Sequence, residues 1–148
     1  MRVLFLDDNE NRHKIFQHVT KNKEITHIDW AQTAEDAIKY LSNNQKYDII
    51  CFDHDLGEEH ENIRAKNIET TEYGATMTGY DVAIFLVTEL EEELQPTYAI
   101  VHSFNTHGSR RITAALNEGG IQKFIYVFPF SSDGFERAIQ HIIQHNGI

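Results

Sequence analysis

Tyr47-Asp48-Ile49-Ile50-Cys51-Phe52-Asp53-His54-Asp55-Leu56-Gly57 is the stretch whose reading decides the fold. Ile49 to Phe52 is a short apolar run without alternation, the pattern of a strand buried on both faces. The chain then turns polar at once, placing two carboxylates and an imidazole at the end of that strand, and Gly57 breaks the element. The start of the chain repeats the pattern, with Val3-Leu4-Phe5-Leu6 followed directly by Asp7-Asp8. In open α/β sheets ligands bind at the carboxyl ends of the strands. Two parallel strands ending this way gather three or four carboxylates: Asp7, Asp8, Asp53 and Asp55. Like charges that close need a cation or protons between them, and an all-oxygen donor set suits Mg²⁺ or Mn²⁺. Helix capping by an aspartate in a βα loop accounts for one of these residues at most.

Working outward, the elements alternate. Arg2 to Leu6 reads as the first strand, and Asp8 or Asn9 caps a helix from about Glu10 to Thr20 with Ile15, Phe16 and Val19 on one face. Ile25 to Trp30 is a shorter, mixed strand suited to a sheet edge. Thr33 caps a helix whose apolar stripe is Ala34, Ala37, Ile38 and Leu41, with Asp36 placed as in a capping box. Residues 58–78 lack apolar periodicity and read as a long lid, binding loop or disordered segment. Thr78, with Asp81, caps the next helix, in which Val82, Ile84, Phe85, Leu86, Leu90 and Leu94 are expected to be largely buried. Glu89, Glu91, Glu92 and Glu93 form a solvated face. Thr97 to Val101 is the fourth strand, ending in His102-Ser103. A helix runs to about Glu118 and stops at Gly119-Gly120. Phe124 to Phe128 is the fifth strand. The last helix starts near Asp133, with Phe135, Ala138, Ile139, Ile142 and Ile143 at helical spacing.

This βα alternation predicts a flavodoxin-like, doubly wound, five-stranded parallel sheet of order 2-1-3-4-5 with helices on both faces. Its switch point lies between the first and third strands, the two that end in aspartates. A chain of 148 residues suits one domain, 1–148. The single cysteine, Cys51, falls in a buried strand, which excludes an internal disulfide and fits a reducing cytoplasm. No apolar run is long enough to span a bilayer, and the first residues meet acid too soon for a signal peptide. A net charge of −10 disfavours long nucleic acids and anionic membranes. It is compatible with a small phosphate-containing ligand held through a metal ion. The nine histidines form no close ligand motif; only His54 and His102 stand at strand ends.

Over nearly its whole length the chain resembles the receiver domains of two-component response regulators. Asp7-Asp8 look like that family's Mg²⁺-holding pair, and Asp53 falls at its phosphoacceptor position. Gly79-Tyr80-Asp81-Val82-Ala83, Ala115-Leu116-Asn117-Glu118-Gly119-Gly120 and Phe128-Pro129-Phe130 are similar to its later motifs. Phe128 replaces the lysine that contacts the phosphoryl group, and His102 displaces a small hydroxyl residue, with Ser103 next to it. These departures, with Asp53-His54-Asp55-Leu56 and His102-Ser103-x-Asn105-x-x-Gly108, resemble a divergent branch, the cyclic-phosphate processing receiver-like proteins. That resemblance implies action on cyclic nucleotides or cyclic phosphate ends, in a branch often found in phages and bacterial conflict systems.

Three functions follow. In the first, a metal-dependent phosphodiesterase, Asp7, Asp8, Asp53 and Asp55 hold one or two ions. His54 and His102 are the candidate acid and base, with Asp53 beside them. Ser103, Asn105, Ser109 and Arg110 are expected to bind the phosphate, the helix amides near Ser109 adding to this. The second is a receiver that takes phosphate on Asp53, with little response to small phosphodonors expected because Phe128 supplies no cation. The third is a non-catalytic module that binds a cyclic nucleotide or a partner.

Overall fold

The computed structural model describes residues 1–21, 23–56, 77–120 and 125–146. Strands β1 (Arg2–Leu6), β2 (His27–Ala31), β3 (Ile49–Phe52), β4 (Tyr98–Val101) and β5 (Ile125–Val127) alternate with helices α1 (Glu10–Thr20), α2 (Ala34–Leu41), α3 (Gly79–Glu89), α4 (Thr106–Glu118) and α5 (Ser132–Asn146). All pairings are parallel and the order is β2-β1-β3-β4-β5. This is the doubly wound sheet that the βα alternation predicts. Most of the long loop expected at 58–78 lies outside the described residues, as does Phe124.

The helix starts are written in side chains. Asn9, Thr33 and Asn105 accept hydrogen bonds from the backbone N–H groups of Arg12, Asp36 and Gly108. Thr78 and Asp81 form a reciprocal capping box. Three local expectations shift. β2 begins two residues later than Ile25. Ile15 is exposed, leaving Phe16 and Val19 as the buried stripe of α1. α3 ends at Glu89, and Glu92–Leu94 form a separate 3₁₀ turn.

Strand alternation splits the core in two. Leu4, Leu6, Ile50, Phe52, Ala99 and Val101 pack under α2, α3 and α4. Val3, Phe5, Ile49, Cys51, Tyr98 and Ile100 pack under α1 and α5. Each fully buried Leu, Ile or Phe contributes roughly 1.5–3 kcal/mol, so both layers are strong enough to carry charged residues at the strand ends. Gly79 begins α3 directly on the end of β3. A Cβ there would overlap the Asp53 carbonyl oxygen, and the Gly79 N–H donates to the His54 carbonyl at 3.0 Å. No described helix is long and apolar enough to cross a membrane.

Candidate metal and phosphate site

Register builds the site. Leu6, Phe52 and Val101 lie side by side across β1, β3 and β4. The next residues, Asp7, Asp53 and His102, therefore form a row facing the α1 and α5 layer. Backbone bonds extend the ladder to that row: Asp53 N–H to Leu6 O (3.0 Å) and His102 N–H to Phe52 O (2.9 Å).

The carboxylates of Asp7, Asp8 and Asp53 each bring an oxygen within 4.8 Å of the others. Asp7 is fully buried and Asp53 is 3 % exposed. Burial first, then Asp7 and Asp8, push the Asp53 carboxyl up to about 8, while Arg12 and the His54 N–H pull it the other way. Burial and the neighbouring carboxylates thus outweigh the positive charge that Arg12 brings. An all-oxygen trio in this state is a donor set that fits a hard divalent cation. Arg12, on α1, offers partial compensation: its Nε lies 3.2 Å from Asp7 Oδ2 and its Nη2 lies 3.8 Å from Asp53 Oδ2. Two further bonds hold Asp7. Its Oδ1 accepts the Asn9 N–H (2.9 Å), and its backbone carbonyl accepts the Trp30 indole N–H (2.6 Å). Trp30 in turn stacks on His13 at 4.1 Å.

His102 is 0 % exposed and lies beneath Asp7, with Nε2 3.0 Å from Asp7 Oδ2. Its ring stacks on Phe5 at 5.1 Å and meets Phe130 and Phe135. Burial lowers its pKa, against the pull of Asp7. Nδ1 is buried without a hydrogen-bond partner. These facts fit one neutral tautomer, with Nε2–H donating to Asp7 and a bare lone pair on Nδ1.

His54, one residue beyond the row, turns to the other layer. Its Nδ1 lies 2.7 Å from Asp55 Oδ1, and its Nε2 is buried and unpartnered. Asn105 sits opposite. Its Oδ1 accepts the Gly108 N–H at 2.9 Å, which fixes Nδ2 as a donor to Asp55 Oδ1 at 3.2 Å. Among the described residues, the Asp55 carboxylate thus accepts from His54 Nδ1–H and Asn105 Nδ2–H. The His54 ring rests against Gly108, where any Cβ would overlap it. The two strand-end histidines therefore occupy different sides of the sheet edge and do not face one pocket.

A hollow of about 260 Å³ opens above the acidic row. Among the described residues, Asp8, Asp53 and Asp55 form its acidic wall, and Asn9, Arg12, Ser103, Phe104 and Asn105 line the rest. Ser103 is 5 % exposed and its hydroxyl accepts the Asn105 N–H at 3.0 Å. Ser109 and Arg110 line a separate hollow next to Val127. The Ser109 hydroxyl donates to the Ser103 carbonyl at 3.3 Å, and Arg110 is exposed. Phe128 points elsewhere too: its ring packs edge-on against Phe135 at 5.1 Å and lines a groove along α5. Sequence reasoning missed Arg12 and Phe104. Arg12 precedes the buried Phe16 by four residues on one helix face, and that spacing is the signal that aims it at the strand ends.

No curated protein matches the chain in sequence. Solved structures resemble it in fold. The response regulatory domain of mrkE from Klebsiella pneumoniae has a TM-score of 0.65 at 14% identity, covering 98% of this chain and 97% of that one. The non-phosphorylated HemR receiver domain from Leptospira biflexa has a TM-score of 0.63 at 18% identity, covering 96% and 93%. A CheY-like receiver domain from Methylobacillus flagellatus has a TM-score of 0.62 at 14% identity, covering 96% and 98%. The family model described as the cyclic-phosphate processing receiver domain matches residues 2–118. With that match spanning most of the sequence over a receiver fold, the chain belongs to the family of cyclic-phosphate processing receiver domains.

Proposed function

We propose that the chain is a metal-dependent hydrolase acting on a small cyclic phosphate, the phosphodiester of a cyclic nucleotide or a cyclic phosphate end. One observation carries this reading. The hollow that holds the Asp8 and Asp53 carboxylates also holds Asp55, hydrogen-bonded to His54. That pair is an acid–base group for which a site that only accepts a phosphoryl group has no use. Asp7, Asp8 and Asp53 would hold Mg²⁺ or Mn²⁺. Such an ion supplies charge neutralisation at the phosphate and a water of lowered pKa. Ser103 has a hydroxyl hydrogen to offer a phosphate oxygen, and Arg12 a guanidinium. Proton transfer falls to Asp55 at the wall, with His54 behind it sharing a proton across the 2.7 Å contact. His102 orients Asp7 from below and keeps its carboxylate aimed at the trio.

The test is turnover of 2′,3′- and 3′,5′-cyclic phosphates by the full chain with Mg²⁺ or Mn²⁺, followed by phosphorus NMR. Hydrolysis that disappears with a chelator and with Asp53→Asn is expected. His54→Ala should slow it by roughly 10²–10⁴-fold, the usual contribution of a positioned acid or base. A second reading, phosphate acceptance on Asp53, draws on Arg12, a cation 3.8 Å from that carboxylate which partly replaces the missing lysine. Labelling of Asp53 by acetyl phosphate without cyclic phosphate turnover selects it. Tight binding without either reaction selects a non-catalytic binding module.

A further inference from the structure

Phe104 takes no part in the core or in the acid–base groups above. Its ring is 64 % exposed, yet the backbone on both sides of it is pinned. The Asn105 N–H donates to Ser103 Oγ, the Ser109 hydroxyl to the Ser103 carbonyl, and the Asn105 side chain caps α4. A lone exposed aromatic is ordinary on a protein surface. Its place is what distinguishes this one. Among the described residues that line the acidic hollow, Phe104 is the one apolar side chain. The other large exposed apolar residues among those described, Ile15 and Val127, do not line it. The Arg12 guanidinium lies 5.8 Å from the Phe104 ring centroid, a cation–π distance that steadies the ring beside the carboxylates.

We infer that Phe104 is a stacking platform that makes the site select phosphate ligands carrying an aromatic base. The inference rests on the reading that this hollow takes a cyclic phosphate. In a nucleoside cyclic phosphate, base and phosphate are held apart by a single sugar. A hollow of about 260 Å³ that has carboxylates on one wall and a phenyl ring on another can engage both ends at once. The physical need is plain. The acidic wall repels a phosphate except where a metal ion compensates it, so electrostatics alone holds an anionic ligand weakly. Stacking adds affinity that is independent of charge and tolerant of base identity. The preordered backbone means that little conformational freedom is lost when the ring is covered.

The experiment compares two ligand sets on the full chain with Mg²⁺: nucleoside cyclic monophosphates, and a ribose cyclic phosphate that lacks a base. Affinity is read by calorimetry, or as KM where turnover occurs. Wild type should prefer the base-bearing set by roughly 5- to 150-fold, the usual strength of base–aromatic stacking. Phe104→Ala should erase that preference, leaving the affinity for the baseless ligand and the melting temperature unchanged. Phe104→Trp should preserve it. If wild type binds both sets equally, or Phe104→Ala weakens both alike, the stacking role is overturned while the cyclic phosphate reading stands. If Mg²⁺ binds but neither ligand set does, the cyclic phosphate reading fails and takes this inference with it.

Discussion

His54 and His102 follow neighbouring strands, yet they live in different environments. His102 continues the row of Asp7 and Asp53 and is enclosed by Phe5, Phe130 and Phe135. His54, one position further along its strand, crosses to the α3 and α4 layer and meets Asp55, Asn105 and Gly108. The difference is one of parity. Successive side chains past a strand alternate faces, so a single step in register separates a ring that orients a carboxylate from a ring that can share a proton at the pocket wall. Residue type at a strand end says little until its parity is counted.

The largest effect that sharpens this contrast comes from the shared acidic row. Asp53 is raised from an ordinary 3.8 to about 8. The folded state then holds a proton that the unfolded state has lost between these values, so this contribution is fully present below about pH 4. It declines as pH rises to about 8. Without divalent ions, urea midpoints of wild type should fall across that range relative to Asp53→Asn, and Mg²⁺ should flatten the difference. Parallel pH profiles for the two proteins would remove the basis for the buried, uncompensated trio.

Next in size is the pair of alanine variants. His102→Ala empties a fully buried aromatic site and leaves Asp7 without its partner, for about 3–5 kcal/mol lost in urea unfolding, as for other large-to-small core changes. His54→Ala breaks the Asp55 contact and vacates a ring that is 6 % exposed, and should lose less, about 1–3 kcal/mol. Equal losses would collapse the distinction between the two rings. Gly108→Ala comes third, at about 1–3 kcal/mol, because its Cβ would overlap the His54 ring. The imidazole NMR signals of His54 should move in that variant and those of His102 should stay. Smallest is Arg110→Ala. The side chain is exposed and outside the acidic hollow, so stability should change by under about 0.5 kcal/mol, and Mg²⁺ affinity measured by calorimetry should not change.

Much of this was legible in the residues. Apolar runs followed by caps gave five strands and their order, and the Asp7-Asp8 and Asp53 endings met as expected because β1 and β3 are neighbours. What escaped depends on direction. Arg12 reaches the trio because its helix face is shared with Phe16, and Phe128 turns to Phe135 and away from the pocket. Asn105, expected to bind phosphate, lines the hollow with its Oδ1 accepting from the Gly108 N–H and its Nδ2 donating to Asp55. The Arg12–Asp53 and Asn105–Asp55 contacts join residues distant in sequence, which local pattern does not encode.

Trp30 is the sole tryptophan of the chain, and its indole N–H ends on the carbonyl of Asp7. The protein therefore carries a built-in optical gauge at the one residue on which the trio, Arg12 and His102 all converge. Excited at wavelengths where the six tyrosines do not absorb, its emission has a single origin, so a shift in colour or intensity on adding an ion or a phosphate ligand reports on that spot, and no dye or label need be attached.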